Sequence, residues 1–284
     1  MKTMKIAVIG DLHYPALAEE YAFIKEDRKK FYANFMERFF SIPADLYVSI
    51  GDLTNYGLKE ELEEIYAIID QHQKPFVQVL GNHDLYGQTR HEVLTITQQK
   101  RYRDISTDQA VLAFLDTAKE QDYRDCGGAL DPAQLYWLKG VVEQSGSRPL
   151  IVFGHHPVYD TTIQSDQEFR CIHPRTPVWD VLNKKQGPGL YMNGHNHCNS
   201  IAVREQWNFV QLAAVLDEQT ARIIDLSDTE ISIETIDLYD PELQKSAQVI
   251  GHAIPHFSLN RQLLGPDSDV KHVIPLPVRK AQRV

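Results

Sequence analysis

Cysteines, basic residues and long apolar runs are all scarce in this chain, and each shortage argues against a class of protein. Three cysteines among 284 residues form no paired spacing, so we expect reduced thiols and no disulfide framework. The formal net charge of −10 argues against a surface that coats a nucleic acid polymer. No apolar run is long enough for a membrane span, and no leader-like segment precedes the first apolar run, so we expect a cytoplasmic protein.

The first half of the sequence alternates between short apolar runs and amphipathic stretches. Three runs predict buried strands: KIAVIG (5–10), DLYVSIG (45–51) and PFVQVLG (75–81). Helices are predicted between them over 19–40 and 59–72, where apolar residues recur at helical spacing. This β-α-β-α-β order predicts an α/β fold with parallel strands and covering helices.

The same alternation returns in the second half. PLIVFG (149–154) and GLYMNG (189–194) predict two more strands, with a helix around 177–185 between them. Three further apolar runs between residues 202 and 238 predict consecutive strands that close the sheet in an antiparallel manner. We therefore assign residues 1–250 to a single domain.

Two segments depart from this pattern. Residues 86–147 are rich in charge and Gln; we predict helices there over 89–103, 107–120 and 132–144, and interpret the segment as a lid-like insertion. Residues 251–284 contain several prolines and predict an extended arm. The arm would lie either on its own domain or on a second subunit, which would make the protein a homodimer.

Polar side chains follow five of the predicted strands where each strand ends. The segments are GDLH (10–13), GDLTNYG (51–57), GNHD (81–84), GHHP (154–157) and GHNH (194–197), and they contain six of the twelve histidines. Each segment begins with Gly, which lets a backbone turn sharply or approach a ligand closely. Ligands bind beyond the carboxyl ends of strands in open α/β sheets, so these side chains are expected to converge.

The donors in these segments predict a metal centre. The candidate ligands are Asp11, His13, Asp52, Asn82, His155, His195 and His197. Seven donors are too many for one tetrahedral ion but fit two ions that share a carboxylate. Carboxylate, amide and imidazole donors suit divalent Mn, Fe, Zn or Ni. Cys198 is either a further thiolate ligand or a small residue facing away, and strand alternation favours the second.

In order, D-x-H, G-D, G-N-H-D, G-H-H-P and G-H-x-H resemble the signatures of the calcineurin-like metallophosphoesterases. The resemblance extends over roughly residues 4–237 and implies a four-layer sandwich of helices, two facing mixed sheets, and helices. It also implies that Asp11, His13 and His197 hold one metal, that Asn82, His155 and His195 hold the other, and that Asp52 bridges them.

The resemblance and the chemistry suggest roles for four further residues. His83 is the family's candidate for protonating the leaving group, since it stands inside GNHD without being a ligand. Asp84 would either orient the His83 ring or cap a helix. His156 would belong to the pocket wall or contact substrate. Asn55 would either reach the substrate phosphate or shape the turn before Gly57.

The resemblance implies hydrolysis of a small phosphoester by a hydroxide that bridges two metal ions about 3.5–4 Å apart. The segments GDLTNYG and GNHD lack the arginine and glutamate of the protein-phosphatase branch, and the acidic chain does not suit the nuclease branch. The sequence is more similar to bacterial phosphodiesterases that act on cyclic nucleotides or glycerophosphodiesters. A phosphomonoesterase of small metabolites and a non-catalytic, protein-binding scaffold are the alternatives. No membrane partner is expected.

Overall fold

A computed structural model describes residues 3–17, 19–260 and 267–277, which contain two six-stranded sheets. The strands are β1 (Met4–Ile9), β2 (Leu46–Ser49), β3 (Phe76–Gln78), β4 (Arg103–Ser106), β5 (Val111–Phe114), β6 (Leu150–Phe153), β7 (Gly189–Asn193), β8 (Ser200–Arg204), β9 (Trp207–Gln211), β10 (Thr220–Leu226), β11 (Glu230–Asp237) and β12 (Lys271–Pro275). The helices are α1 (Lys25–Ser41), α2 (Lys59–Gln71), α3 (Arg90–Thr97), α4 (Pro132–Ser145), α5 (Val178–Leu182) and α6 (Pro241–Ala253).

Each sheet is mixed. The first has the order β12-β11-β10-β1-β2-β3, with β1, β2 and β3 parallel and β10 antiparallel to β1. The second has the order β4-β5-β6-β7-β9-β8, in which β5, β6, β7 and β9 run parallel. The carboxyl ends of the parallel strands of each sheet therefore meet at a common edge, and the five predicted ligand loops leave from those ends.

Among the described residues, the three largest of four hydrophobic clusters separate four layers. One cluster packs the aromatic face of α1, including Phe31, Phe35 and Phe39, with α6 against the outer face of the first sheet. A second cluster, rich in Val, Ile and Leu, fills the space between the two sheets. A third packs α4 and α5 against the outer face of the second sheet. The predicted α/β sandwich of two facing mixed sheets flanked by helices is confirmed.

Residues 86–147 differ from the prediction in their secondary structure. The helix expected over 107–120 is wrong: Val111–Phe114 form β5, whose four residues are all buried next to β6. Such a short apolar run is a central strand, and the charged residues around it misled the periodicity argument. The helix expected over 89–103 ends at Thr97, since Gln98 takes a left-handed conformation. The segment thus contributes β4 and β5 to the second sheet and α4 to the helices that cover it, and its role as a lid stays a prediction.

The C-terminal region is also more ordered than an extended arm. Helix α6 continues through Ala253, so residues 251–253 are helical rather than extended. Strand β12 pairs antiparallel with β11 and so joins the first sheet of its own domain. Residues 261–266 and 278–284 of the predicted arm lie outside the described residues, and a homodimer formed through the arm stays a prediction. None of the described helices combines the length and the apolar character needed to cross a membrane.

Candidate metal centre

The seven predicted ligands lie together beyond the ends of β1, β2, β3, β6 and β7. Six of them are buried and His197 is partly buried. Five have left-handed backbones: Asp11 (φ 52°), His13 (49°), Asp52 (48°), His195 (71°) and His197 (52°). This conformation is costly for residues with a β-carbon, and it persists where the surrounding structure holds it for a functional purpose. These sharp turns direct the side chains of successive loops toward one region.

Two of the strand-end glycines make room for carboxylates. A β-carbon built on Gly81 would overlap Asp52 Oδ1, and one built on Gly194 would overlap Asp11 Oδ2. No larger residue fits at either position while the carboxylates stay in place. The glycines that open the GNHD and GHNH segments are therefore required by the close approach of the loops.

Asp11, His13, Asp52 and His197 form the first candidate metal site. One ligand atom from each lies within 4.8 Å of the others. His13 Nε2 lies 3.2 Å from His197 Nε2, and His197 Nε2 lies 3.4 Å from Asp11 Oδ1. Asp11 Oδ2 is buried without a hydrogen-bond partner. Nitrogens and oxygens that face one another in this way fit a cation placed among them.

The second candidate site surrounds His155. Its Nε2 lies 3.1 Å from Asn82 Oδ1 and 3.2 Å from Asp52 Oδ2, while its Nδ1 donates to the carbonyl of Ile50. The His195 ring lies 5.1 Å from the His155 ring. His155, His156 and His195 also offer ligand atoms within 4.8 Å of one another.

Asp52 faces both sites. Its Oδ2 lies 3.2 Å from His155 Nε2 and 3.9 Å from His13 Nε2, and its Oδ1 accepts from the backbone N–H of His83. This placement agrees with a carboxylate shared by two ions. The assignment of individual ligands to each ion stays a prediction.

Burial and the neighbouring charges set the protonation of the imidazoles. Burial lowers the pKa of His155, but the charge and hydrogen bond of Asp52 outweigh it and raise the pKa to about 9. Burial and then the positive charge of His155 lower the pKa of His195 to about 3. Burial also holds the pKa of His13 well below its usual value. Neutral His13 and His195 present the lone pairs that metal coordination requires. The protonated His155 ring lies next to Asn82 Oδ1 and Asp52 Oδ2, two oxygens that can also bind a metal cation.

Comparison with known proteins identifies the family. Residues 4–199 match the family described as calcineurin-like phosphoesterase. The chain belongs to this family. It is 26% identical over 204 residues to a protein of Rhodopseudomonas palustris named "Probable cyclic nucleotide phosphodiesterase", a match that covers 68% of this chain and 72% of the relative.

Solved structures share the fold of this phosphoesterase. A dimetal phosphatase from Danio rerio superposes with a TM-score of 0.68 at 15% identity, covering 82% of this chain and 97% of that one. A purple acid phosphatase from yellow lupin (Lupinus luteus) seeds superposes with a TM-score of 0.58 at 12% identity, covering 83% of this chain and 52% of that one. These superpositions show the fold, and this member of the calcineurin-like phosphoesterase family has two candidate metal-binding sites.

His83 lies beside both candidate metal sites of the phosphoesterase. Its Nδ1 lies 2.8 Å from the carbonyl oxygen of Asn55, which can only accept, so Nδ1 carries the proton. The other ring nitrogen, Nε2, remains available to exchange a proton with a group in the cavity that His83 helps to line. Its predicted role as proton donor to the leaving group fits this orientation and stays a prediction.

Asp84 is placed differently from both sequence-based interpretations. It accepts from the backbone N–H and hydroxyl of Thr54 and from the N–H of Gly81, and so ties the loops after β2 and β3 together. It neither orients the His83 ring, which the Asn55 carbonyl holds, nor caps α3, the first helix of the 86–147 segment, whose N-cap is Thr89. Burial and the charge of Asp52 raise the pKa of Asp84 to about 6.

The remaining predicted residues have clear positions. Asn55 is buried, and its amide donates to the carbonyl of Pro255 at 2.9 Å. His156 is fully buried; its Nδ1 lies 2.8 Å from Thr117 Oγ1 and its Nε2 2.8 Å from the Cys126 carbonyl oxygen. A substrate-binding role for either residue stays a prediction. Cys198 contacts Gln211 through its sulfur and is not among the described residues that line the cavity.

A cavity of about 780 Å³ opens over both metal sites, and most of its wall was not predicted. The wall includes Tyr86, Tyr123, Phe169, Arg170, His256 and Phe257. Tyr123 lies in the 86–147 segment and His256 in the C-terminal region, so both regions reach the cavity. Apart from His256, which a C-terminal tail folded over the cavity could bring near the substrate, these residues come from separate loops without a common motif, and a single sequence gives no signal for them.

Proposed function

We propose that this phosphoesterase hydrolyses small phosphodiesters of the cyclic-nucleotide type. The supporting observation is the position of His83 and an aromatic wall next to two metal sites that face a common carboxylate. Two divalent ions in these sites would neutralise the phosphoryl oxygens and lower the pKa of an attacking water. The residues of the chain would orient the ester and deliver the proton that the leaving oxygen needs.

His83 carries the proton-transfer step. Burial lowers the pKa of His83, so its imidazolium gives up a proton readily to a developing alkoxide. Its ring is fixed by the Asn55 carbonyl and by the His13 ring, which it meets edge-on at 4.6 Å. A fixed donor beside the reaction centre serves the cleavage of an alkyl phosphoester, since the leaving alkoxide needs a proton.

The aromatic wall favours a nucleotide over a glycerophosphodiester. The Tyr123 ring lies 5.1 Å from Tyr86 and 5.6 Å from Tyr56, and Tyr123 is 52% exposed. Its free surface can be covered by a planar group, and stacking a base on an aromatic ring is worth about 1–3 kcal/mol. The cavity volume lies in the range of about 300–1,000 Å³ that suits a whole small molecule.

Arg170 provides a positive charge at the same cavity. It is exposed, and it is the one lysine or arginine among the described residues of the cavity wall. The loop that carries it is anchored by a hydrogen bond from the amide of Asn196 to the Arg170 carbonyl. We assign it the binding of a non-bridging phosphate oxygen of the substrate.

The experiment compares bis(p-nitrophenyl) phosphate with p-nitrophenyl phosphate, and then a purine cyclic nucleotide with a glycerophosphodiester, all with added Mn²⁺. We expect faster turnover of the diester and of the cyclic nucleotide. Tyr123→Ala should raise KM for the nucleotide and leave bis(p-nitrophenyl) phosphate less affected, with Tyr136→Ala, an exposed tyrosine outside the cavity wall, as the matched control. Faster turnover of the monoester would replace the proposal with a phosphomonoesterase, and no turnover of any ester would favour a protein-binding scaffold.

A further inference from the structure

The region around His197 contains an unexplained buried carboxylate. The side chain of Asp217 is fully buried, and its Oδ2 has no hydrogen-bond partner. That oxygen faces His197 Nδ1 at 3.8 Å, on the opposite side of the ring from the predicted metal position. A buried carboxylate is costly unless it is paired, so its presence behind a candidate ligand calls for an explanation.

The other oxygen of Asp217 is held by the C-terminal segment of residues 255–260. Asn260 donates its backbone N–H to Asp217 Oδ1 at 2.7 Å, and its side-chain amide donates to the His197 carbonyl at 3.2 Å. At the other end of the segment, the Pro255 carbonyl accepts from Asn55. The 255–260 segment is therefore fastened to two of the loops that carry the predicted metal ligands.

Phe257, inside the same segment, contacts both histidines of the first site. Its ring centroid lies 4.8 Å from that of His13 and 5.2 Å from that of His197. The ring covers one side of this histidine pair and restricts how the two imidazoles can turn. Phe257 also lines the cavity, so it separates the first metal site from part of the solvent.

We propose that Asp217 and the 255–260 segment position His197 and His13 for the metal ion of the first site. The inference rests on the metal centre that the proposed function uses. An imidazole that ligates through Nε2 is commonly oriented by a carboxylate that accepts from its Nδ1–H. Movement of His197 by less than 1 Å would bring its Nδ1 within hydrogen-bond distance of Asp217. Asp217 and the segment lie outside the matched residues 4–199.

A carboxylate is required at position 217 because two donors face it. The Asn260 N–H needs an acceptor, and so does the Nδ1–H that His197 would carry when its Nε2 ligates a metal; each oxygen of Asp217 can serve one of them. Asn at this position has one acceptor and one donor, so it can satisfy either partner but not both. Asp217→Asn is thus a nearly isosteric change that removes one of the two contacts.

The test is a titration of the full-length, metal-free protein with Mn²⁺ alone. We expect the wild type to bind two ions and Asp217→Asn to bind one of them about 10–100-fold more weakly, with the other unchanged. Phe257→Leu should weaken the same ion by a smaller factor and provides a second variant if Asp217→Asn does not fold. Asp237→Asn removes an exposed carboxylate outside the cavity wall and should leave both affinities unchanged.

Two further measurements separate positioning from general stability. The metal-free Asp217→Asn protein should unfold at the wild-type urea concentration, and the visible absorption bands of its Co²⁺-loaded form should differ from those of the wild type. Unchanged affinity for both ions, or an equal weakening of both, would overturn the proposal. The titration needs no substrate, so a wild type that binds two ions without hydrolysing a diester would refute the proposed function alone.

Discussion

The two halves of the candidate metal centre are held by different kinds of groups. In the half around His155, the rings are fixed by backbone carbonyls: His155 Nδ1 donates to Ile50, and His195 Nε2 donates to Phe169. In the half around His197, side chains do this work, namely the Phe257 ring and the Asp217 carboxylate. A carbonyl is present whatever residue carries it, whereas a side chain can be lost by a single substitution.

This difference indicates which half depends on the rest of the chain. The His155 half uses contacts from loops within the matched residues 4–199. The His197 half uses residues that follow that range. We therefore expect substitutions of supporting residues that follow this range to weaken binding of the ion near His197 selectively. Substitution of Asp52, which faces both halves, should weaken binding of both ions.

The largest expected effect follows from Asp52→Asn. Asp52 lies between the halves, and its neutral amide counterpart would no longer balance cations on both sides. We expect loss of both ions at limiting Mn²⁺ and a fall in turnover greater than the roughly 10–100-fold typical of outer partners of a metal site. Metal analysis after gel filtration and the rate with bis(p-nitrophenyl) phosphate measure this.

Asp45→Asn is the matched control for Asp52→Asn, because Asp45 is an exposed carboxylate before β2 and accepts from the N–H of Lys5. It should leave metal content and rate unchanged. If Asp52→Asn retained two ions and wild-type turnover, Asp52 could not be a ligand shared by the two ions. The two halves would then be independent metal sites.

The second effect concerns chemistry rather than metal binding. His83→Asn keeps a donor that can reach the Asn55 carbonyl but removes the imidazole that faces the cavity. We expect turnover of an alkyl diester to fall about 10²–10⁴-fold, because its alkoxide leaving group needs a proton. Turnover of bis(p-nitrophenyl) phosphate should fall much less, since p-nitrophenolate leaves without one, and both ions should remain bound.

His83→Asn and Asp217→Asn should therefore give opposite patterns. The loss of turnover in His83→Asn should depend on the leaving group but not on the Mn²⁺ concentration. The loss of turnover in Asp217→Asn should depend on the Mn²⁺ concentration but not on the leaving group. Equal losses on both diesters for His83→Asn would remove His83 from the proton-transfer step and leave it a structural role beside Asp52.

The sequence predicted the candidate metal ligands better than the contacts that support them. The five Gly-led segments follow buried strands, and parallel strands bring their carboxyl ends to one edge, so the gathering of Asp11, Asp52 and His155 followed from pattern alone. Asp217 could not be found in the same way. Its function depends on His197 and Asn260, which are distant in the sequence and meet only through the fold.

The errors in secondary structure have a similar origin. The run VLAF in β5 is as apolar as the runs predicted correctly, but it lies in a charged region and lacks a strand-end glycine motif. Helix α6 was not predicted, although Asp240 caps its start by accepting from Glu242 and Leu243. Both β5 and α6 are stabilised by burial against neighbouring elements, and a local sequence pattern reveals that burial only in part.

The smallest expected effect concerns the loops beneath the His197 half. Glu61 is buried and accepts from the backbone N–H groups of Ala16, Tyr56 and Leu58, so it links the chain after β1 to the chain after β2. Burial raises the pKa of Glu61 from 4.5 to about 7, against the effect of these hydrogen bonds. The folded protein thus binds a proton that the unfolded chain has already released.

This additional proton in the folded state decides whether the free energy of unfolding rises or falls with pH. Below pH 4.5 the carboxyl is protonated in both states, and its contribution to stability is lost as the pH rises from about 4.5 through about 7. The free energy of unfolding of the metal-free protein should fall over this range by on the order of 1–3 kcal/mol through Glu61. Urea unfolding of the wild type and Glu61→Gln at several pH values isolates this contribution, because the other titrating groups are common to both. Parallel pH profiles would show that Glu61 titrates alike in the folded and unfolded protein, and that its three N–H partners offset the effect of burial on its pKa.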